Sequence, residues 1–118
     1  MNKVILAGRL VKDPDVKYSQ NVEPTAITRF SIAVNRKFKK EGEADVDFIA
    51  CVSFGSLAEF IGKYFTKGKM IGIVGSIRVN SWTTDNGEKR SSYEIIVSEA
   101  EFLEKKENSE SKDTENID

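Results

Sequence analysis

Residues 48–68 read FIACVSFGSLAEFIGKYFTKG, and the point where this stretch changes period decides the fold. Up to Phe54 it is short, almost continuously apolar and rich in aromatic and branched residues, which favours a strand covered on both faces. From Ser56 onward the spacing is different. Leu57, Phe60, Ile61, Tyr64 and Phe65 recur at i, i+3, i+4, i+7 and i+8, which is one face of a helix. Ser56-Leu57-Ala58-Glu59 has the spacing of a capping box, in which Ser56 accepts from the Glu59 amide while Glu59 reaches back. Gly68, after Lys67, is the expected left-handed stop.

Working outward, Val4-Ile5-Leu6-Ala7 with Leu10-Val11 reads as a first strand. It is stopped by Asp13-Pro14-Asp15, because proline lacks the amide that a ladder needs, and a turn is expected there. Between Ile27 and Asn35, Phe30, Ile32 and Val34 alternate with Arg29, Ser31 and Ala33, the period of a second strand with one buried face. Beyond the helix, Met70 to Thr83 and Tyr93 to about Leu103 read as two strands of a hairpin around Asp85-Asn86-Gly87, residues that tolerate positive φ. Three strands, one helix and a long hairpin is the order of the all-β OB-fold, a five-stranded Greek-key barrel that often binds oligonucleotides. SH3-like barrels also have few short strands but accommodate a helix at that point less well.

The chain of 118 residues is the size of one domain, and 39% hydrophobic with 31% charged residues is a globular composition. The expected boundary follows Leu103. Residues 1–103 form the barrel, and in 104–118 Ile117 is the one hydrophobic residue, so a disordered acidic tail is expected. The overall charge of -1 divides there into +2 for the body and -3 for the tail. No histidine is present and Cys51 is the only cysteine, so neither a His-based acid/base pair nor a Cys/His metal cluster can be assembled, and no disulfide framework exists. Cys51 lies in an apolar run and reads as a small buried hydrophobe. The opening apolar run is too short for a signal peptide or spanning helix, so a cytoplasmic protein without cofactor, metal or membrane association is expected.

Within the body the cations cluster. Arg36-Lys37-Phe38-Lys39-Lys40 surrounds one phenylalanine with four positive charges in what reads as a projecting loop. A base offers a π-face and its backbone a nearby charge, so this is the pattern of a stacking platform flanked by phosphate contacts. A second cluster lies on the fourth strand, where Arg78, Asn80 and Trp82 share the polar face. Phe48 and Phe54 share one face of the third strand with Ala50 and Val52, opposite Ile49, Cys51 and Ser53. Duplex DNA hides its base faces, so interleaved aromatics favour single strands.

The opening Met1-Asn2-Lys3-Val4-Ile5-Leu6-Ala7-Gly8-Arg9-Leu10 with Asp13-Pro14, then Phe54-Gly55-Ser56-Leu57-Ala58-Glu59, Lys67-Gly68, and Gly75-Ser76-Ile77-Arg78 leading into Trp82, together resemble the bacterial-type single-stranded DNA-binding proteins. The resemblance spans nearly all of residues 1–103. It implies stacking by Phe38, Phe48, Phe54 and Trp82, and a homotetramer of OB-folds that pairs through the first strand and packs sheets together. Tryptophan is frequent in that family where Phe38 and Phe48 stand here. Family members also carry a longer tail ending in Pro-Phe that recruits replication and repair proteins. Here the end is Asp113-Thr114-Glu115-Asn116-Ile117-Asp118, without Pro or Phe, which puts such docking in doubt and suits a phage, plasmid or accessory copy.

The expected function is therefore non-enzymatic, sequence-independent binding of single-stranded DNA that protects and unfolds exposed strands in replication, recombination and repair. Arg36, Lys37, Lys39, Lys40, Arg78, Arg29 and Arg9 are the candidate phosphate contacts. Two other readings stay open: a related OB-fold replication-restart or RNA-binding adaptor, and a small hydrolase using a metal on Asp45 and Asp47.

Overall fold

The computed structural model describes residues 1–38 and 40–104. Its elements are β1 Val4–Leu10, β2 Asp15–Tyr18, β3 Ala26–Asn35, β4 Val46–Phe54, α1 Gly55–Tyr64, β5 Met70–Thr83 and β6 Lys89–Phe102. The strands lie in the order β1-β5-β6-β4-β3-β2, and β1 also pairs with β3 through Arg9 and Leu10. That second pairing closes five strands into the OB-fold barrel, with β2 riding outside β3. All pairings are antiparallel except β4 with β6, which meet in parallel at Cys51 and Val52.

The inward-facing residues of the alternating strands, among them Phe30, Ile32, Cys51, Ile71, Ile73, Ile95 and Val97, form one core. Helix α1 closes it by burying Ala58, Ile61 and the adjoining Phe65, and Phe65 stacks on Phe102 with ring centroids 4.4 Å apart. Thr28, fully buried on β3, donates its hydroxyl to the Ala58 carbonyl at 2.7 Å, whereas Ser53, paired with it on β4 and equally buried, has no hydrogen-bond partner for its hydroxyl among the described residues. Burial pushes the Cys51 thiol up to about 12, which leaves it protonated and inert.

Three local expectations are corrected. The capping box does not form: the N-cap falls two residues earlier, at Phe54 in extended conformation, and no side chain caps the helix. Gly55 at φ 70° makes the entry possible, letting β4 run straight into the helix, while Glu59 instead accepts a hydrogen bond from the Tyr18 hydroxyl at 3.3 Å. Gly68 does not stop the helix, which ends at Tyr64 with Phe65 already extended; Gly68 lies in the turn closed by Lys69 N to the Thr66 carbonyl. Finally, the chain after Pro14 does not simply turn. It forms β2, paired residue by residue with Ala26–Arg29 of β3, and Val16 packs so close to α1 that a side chain at Gly62 would collide with it. The expected disorder of the tail beyond Glu104 lies outside the described residues.

Candidate nucleic-acid interface

Alternation along β4 places Phe48, Ala50, Val52 and Phe54 on the outer face of the barrel. Phe48 is 70% exposed and Phe54 42%, whereas Val52 between them is fully buried. At about 3.3 Å per residue the two aromatic positions stand roughly 20 Å apart along the strand. On the neighbouring β3, Arg29 lies opposite Val52 and Ala33 opposite Phe48. Beyond β6, two strands along the sheet from β4, β5 presents Arg78, Asn80 and Trp82, with Trp82 51% exposed.

Glu94 of β6 joins the two sides. It accepts from Arg29 Nη1 at 3.2 Å on one oxygen and from Arg78 Nη2 at 2.8 Å on the other. β4 lies between β3 and β6 in the sheet, so the Arg29 side chain reaches across β4 to the carboxylate as a crossbar. On this outer face Val52 alone is buried, while Phe48, Ala50 and Phe54 are exposed, so the expectation of a strand covered on both faces is corrected: β4 is apolar on its outer face without being buried there. The hydrogen bond from Arg78, with the charge of Arg29 added, holds the Glu94 carboxyl below its usual range. By register, Phe48, Phe54, Arg29, Arg78 and Trp82 all lie on the outer side of the stretch of sheet formed by β3, β4, β6 and β5.

Phe38 stands at one end of that surface, in the loop that leaves β3 after Asn35 and returns to β4 at Val46. Its ring is 84% exposed and Lys37 Nζ sits 5.8 Å from the ring centroid. The base of the loop is clamped. Arg36 donates from Nε and Nη2 to the two oxygens of Asp47 at 3.0 and 2.9 Å, and its backbone amide donates to the Asp45 carbonyl at 2.8 Å. The hydrogen bonds raise the Arg36 pKa and lower that of Asp47. Asp47, one half of the carboxylate pair considered for a metal, thus has a guanidinium as its partner. Lys37 and Lys40 make no ion pair among the described residues, and Lys39 lies outside them.

Arg9 shares the outer row of Ala33 and Phe48 by register, but its guanidinium is bonded to the Gly68 carbonyl and to Glu104, both at 2.9 Å. Glu104 also accepts from the Met70 amide at 2.9 Å, so the first residue assigned to the tail is docked on the barrel. Sequence reading missed Glu94 and the hairpin-tip cations Lys89 and Arg90, of which Arg90 lies directly across from Trp82. The signal was present. Counting outward from the Asp85-Asn86-Gly87 turn pairs Trp82 with Arg90 and Arg78 with Glu94, provided that the turn closes as it does here, with Gly87 N donating to the Thr84 carbonyl and Thr84 N to the Glu88 carbonyl.

A closed five-stranded Greek-key barrel with exposed rings and cations along one face defines an oligonucleotide-binding class of architecture. The comparison with known proteins narrows the class. Residues 1–103 match the single-strand binding protein family, and the chain belongs to that family. It is similar to single-stranded DNA-binding protein 3 of Clostridium acetobutylicum, with 44% identity over 104 residues that cover 88% of this chain and 72% of the relative. It is likewise similar to the single-stranded DNA-binding proteins of Thermotoga maritima, at 42% identity with 89% of this chain and 75% of the relative covered, and of Fusobacterium nucleatum, at 41% with 97% and 74% covered. Among the described residues no helix is long and apolar enough to cross a membrane.

Proposed function

We propose that this chain binds single-stranded DNA without reading its sequence, and that it thereby protects and unfolds exposed strands during replication, recombination and repair. The observation that carries the reading is the set of exposed rings, Phe48, Phe54 and Trp82 on one barrel face with Phe38 at its end, interleaved with Arg29, Arg78 and the loop lysines. Each ring can stack on a base for about 1 to 3 kcal/mol whatever the base is, and a duplex offers no such faces. Arg36, Lys37, Lys39, Lys40, Arg78, Arg29 and Arg9 are the proposed phosphate contacts. The names of the relatives, single-stranded DNA-binding proteins at 40% identity and above, support the same activity.

A homotetramer is part of the proposal. On a single chain the β1 residue Ile5 is 72% exposed, and Val79 and Tyr93, paired on the reverse side of the hairpin, are 61% and 62% exposed. Apolar area of that kind supports assembly between copies. Mass measurement on the chain with length-graded oligo-dT gives stoichiometry and site size together, and a monomeric mass at saturation would remove the tetramer.

Trp82 is the only tryptophan, so its fluorescence reports on the face directly. Oligo-dT quenches that emission if the ring stacks. Unchanged emission at saturating oligomer, with binding shown by anisotropy of a labelled strand, takes Trp82 out of the interface. Competition between matched DNA and RNA oligomers separates DNA binding from the RNA-adaptor reading.

A further inference from the structure

The crossbar sets an acid in the middle of a face that otherwise collects positive charge. Glu94 is not a loose surface carboxylate: its side chain is only 15% exposed, while the arginines it holds remain 59% and 51% exposed. Each guanidinium spends one N–H on Glu94 in the hydrogen bonds described, and a guanidinium has five, so donors remain on both that can face a ligand. The bridge crosses β4 between β3 and β6 on the face that carries Phe48 and Phe54, with Val52 between them. A strand stacked on both rings therefore carries its backbone across the crossbar.

We propose that Glu94 is a built-in counter-charge: it holds Arg29 and Arg78 as a seat for the strand's backbone between the Phe48 and Phe54 platforms, and by withdrawing one unit of charge it leaves the pair to neutralise one phosphate in place of two. The inference rests on the reading that this face takes single-stranded DNA. Its physical content is a trade. Two guanidinia fixed by one carboxylate lose less side-chain freedom when a phosphate arrives, because that freedom is already restricted. In exchange, the triad presents a net charge of about +1 in place of +2, so roughly one counterion fewer is released on binding, and the logarithmic salt slope for single strands is shallower by about 0.7. Glu94 thus acts as a positioning residue through the two arginines, and it shifts binding from salt-sensitive contacts toward stacking.

The test is the salt dependence of oligo-dT affinity, measured on the full chain by anisotropy. Glu94→Gln is expected to bind more tightly at low salt with a slope steeper by about 0.7. Glu99→Gln, on the same strand but lining the groove beside Ile5, is expected to change neither quantity. The double variant Arg29→Gln with Glu94→Gln is expected to return the slope to the native value. A native slope for Glu94→Gln, or weaker binding with a shallower slope, overturns the counter-charge. If Glu94→Gln does not fold, Arg29→Gln alone decides: a slope shallower by about 0.7 supports the seat, and an unchanged slope removes it. Failure of the native chain to bind oligo-dT would instead sink the proposed function, so the two failures are distinguishable.

Discussion

Positive charge is held in opposite ways at the two ends of the proposed interface. In the loop after β3, Lys37 and Lys40 make no ion pair among the described residues, and Lys37 rests near the Phe38 ring. On the barrel and at the base of that loop, Arg29 and Arg78 share Glu94, Arg36 is clamped by Asp47, and Arg9 is bound to Glu104. The difference follows from the side chains. Lysine is a compact charge on a flexible stem that can follow a mobile phosphate, whereas the planar fork of arginine suits fixed geometry against a carboxylate. A count of cations treats the two as equal; on the proposed interface the lysines are left to neutralise phosphate, while the arginines hold the scaffold as well.

The largest expected effect concerns neither. Trp82→Ala removes a stacking platform and should weaken oligo-dT binding by about 1 to 3 kcal/mol, roughly 5- to 150-fold, while leaving the salt slope in place. A steep change in slope instead would mean that Trp82 acts through its charged neighbours. Next, the comparison itself can be broken. Replacing Lys37, Lys39 and Lys40 together with Gln should cut the slope by about 2, since each lost phosphate contact contributes about 0.7. Arg36→Gln, whose charge Asp47 already offsets, should lower the slope by less than one lysine does and act mainly on the loop, read as faster proteolysis between 36 and 46. If Arg36→Gln lowers the slope as much as a lysine does, the division between the two residue types fails.

A smaller effect is expected in the pH dependence of stability. Glu94 is held below its usual range mainly by the Arg78 hydrogen bond, Glu104 mainly by the Met70 amide, and Asp47 mainly by Arg36. Carboxyls depressed in the folded state contribute stability that is fully present above their unfolded pKa and is lost as pH falls through the folded one. Melting temperature should therefore be level above about pH 5 and fall below about pH 4, with a shallower fall in Glu94→Gln. An identical fall in that variant would mean that the crossbar carries no stabilising charge. The smallest effect is on Cys51, whose thiol should resist alkylation at neutral pH until the chain is unfolded.

Much of the barrel was legible because its elements are long and periodic. Phe30, Ile32 and Val34 announce β3, and the stripe of Leu57, Phe60, Ile61 and Phe65 announces α1. β2 was not legible, since all four of its residues are exposed and leave no alternation; it exists because Val16 and Tyr18 pack against the helix. The capping box failed for a related reason. Gly55 solves the entry geometry by itself, so Ser56 has no cap to make. At the proposed interface, the rings could be read from their polar neighbours and the Arg78–Glu94 pair from the hairpin count, but the partner of Arg29 could not. Arg29 and Glu94 are 65 residues apart and meet only because the barrel closes. Composition therefore found the charges without finding how they are partnered.

The most direct measurement compares oligo-dT with a duplex of the same length at low and at high salt. Stacking is not screened by ions, so the account predicts a preference for the single strand that grows as salt weakens the phosphate contacts on both ligands. Equal affinities that fall together with salt would contradict it, since they would leave only charge at work on this face.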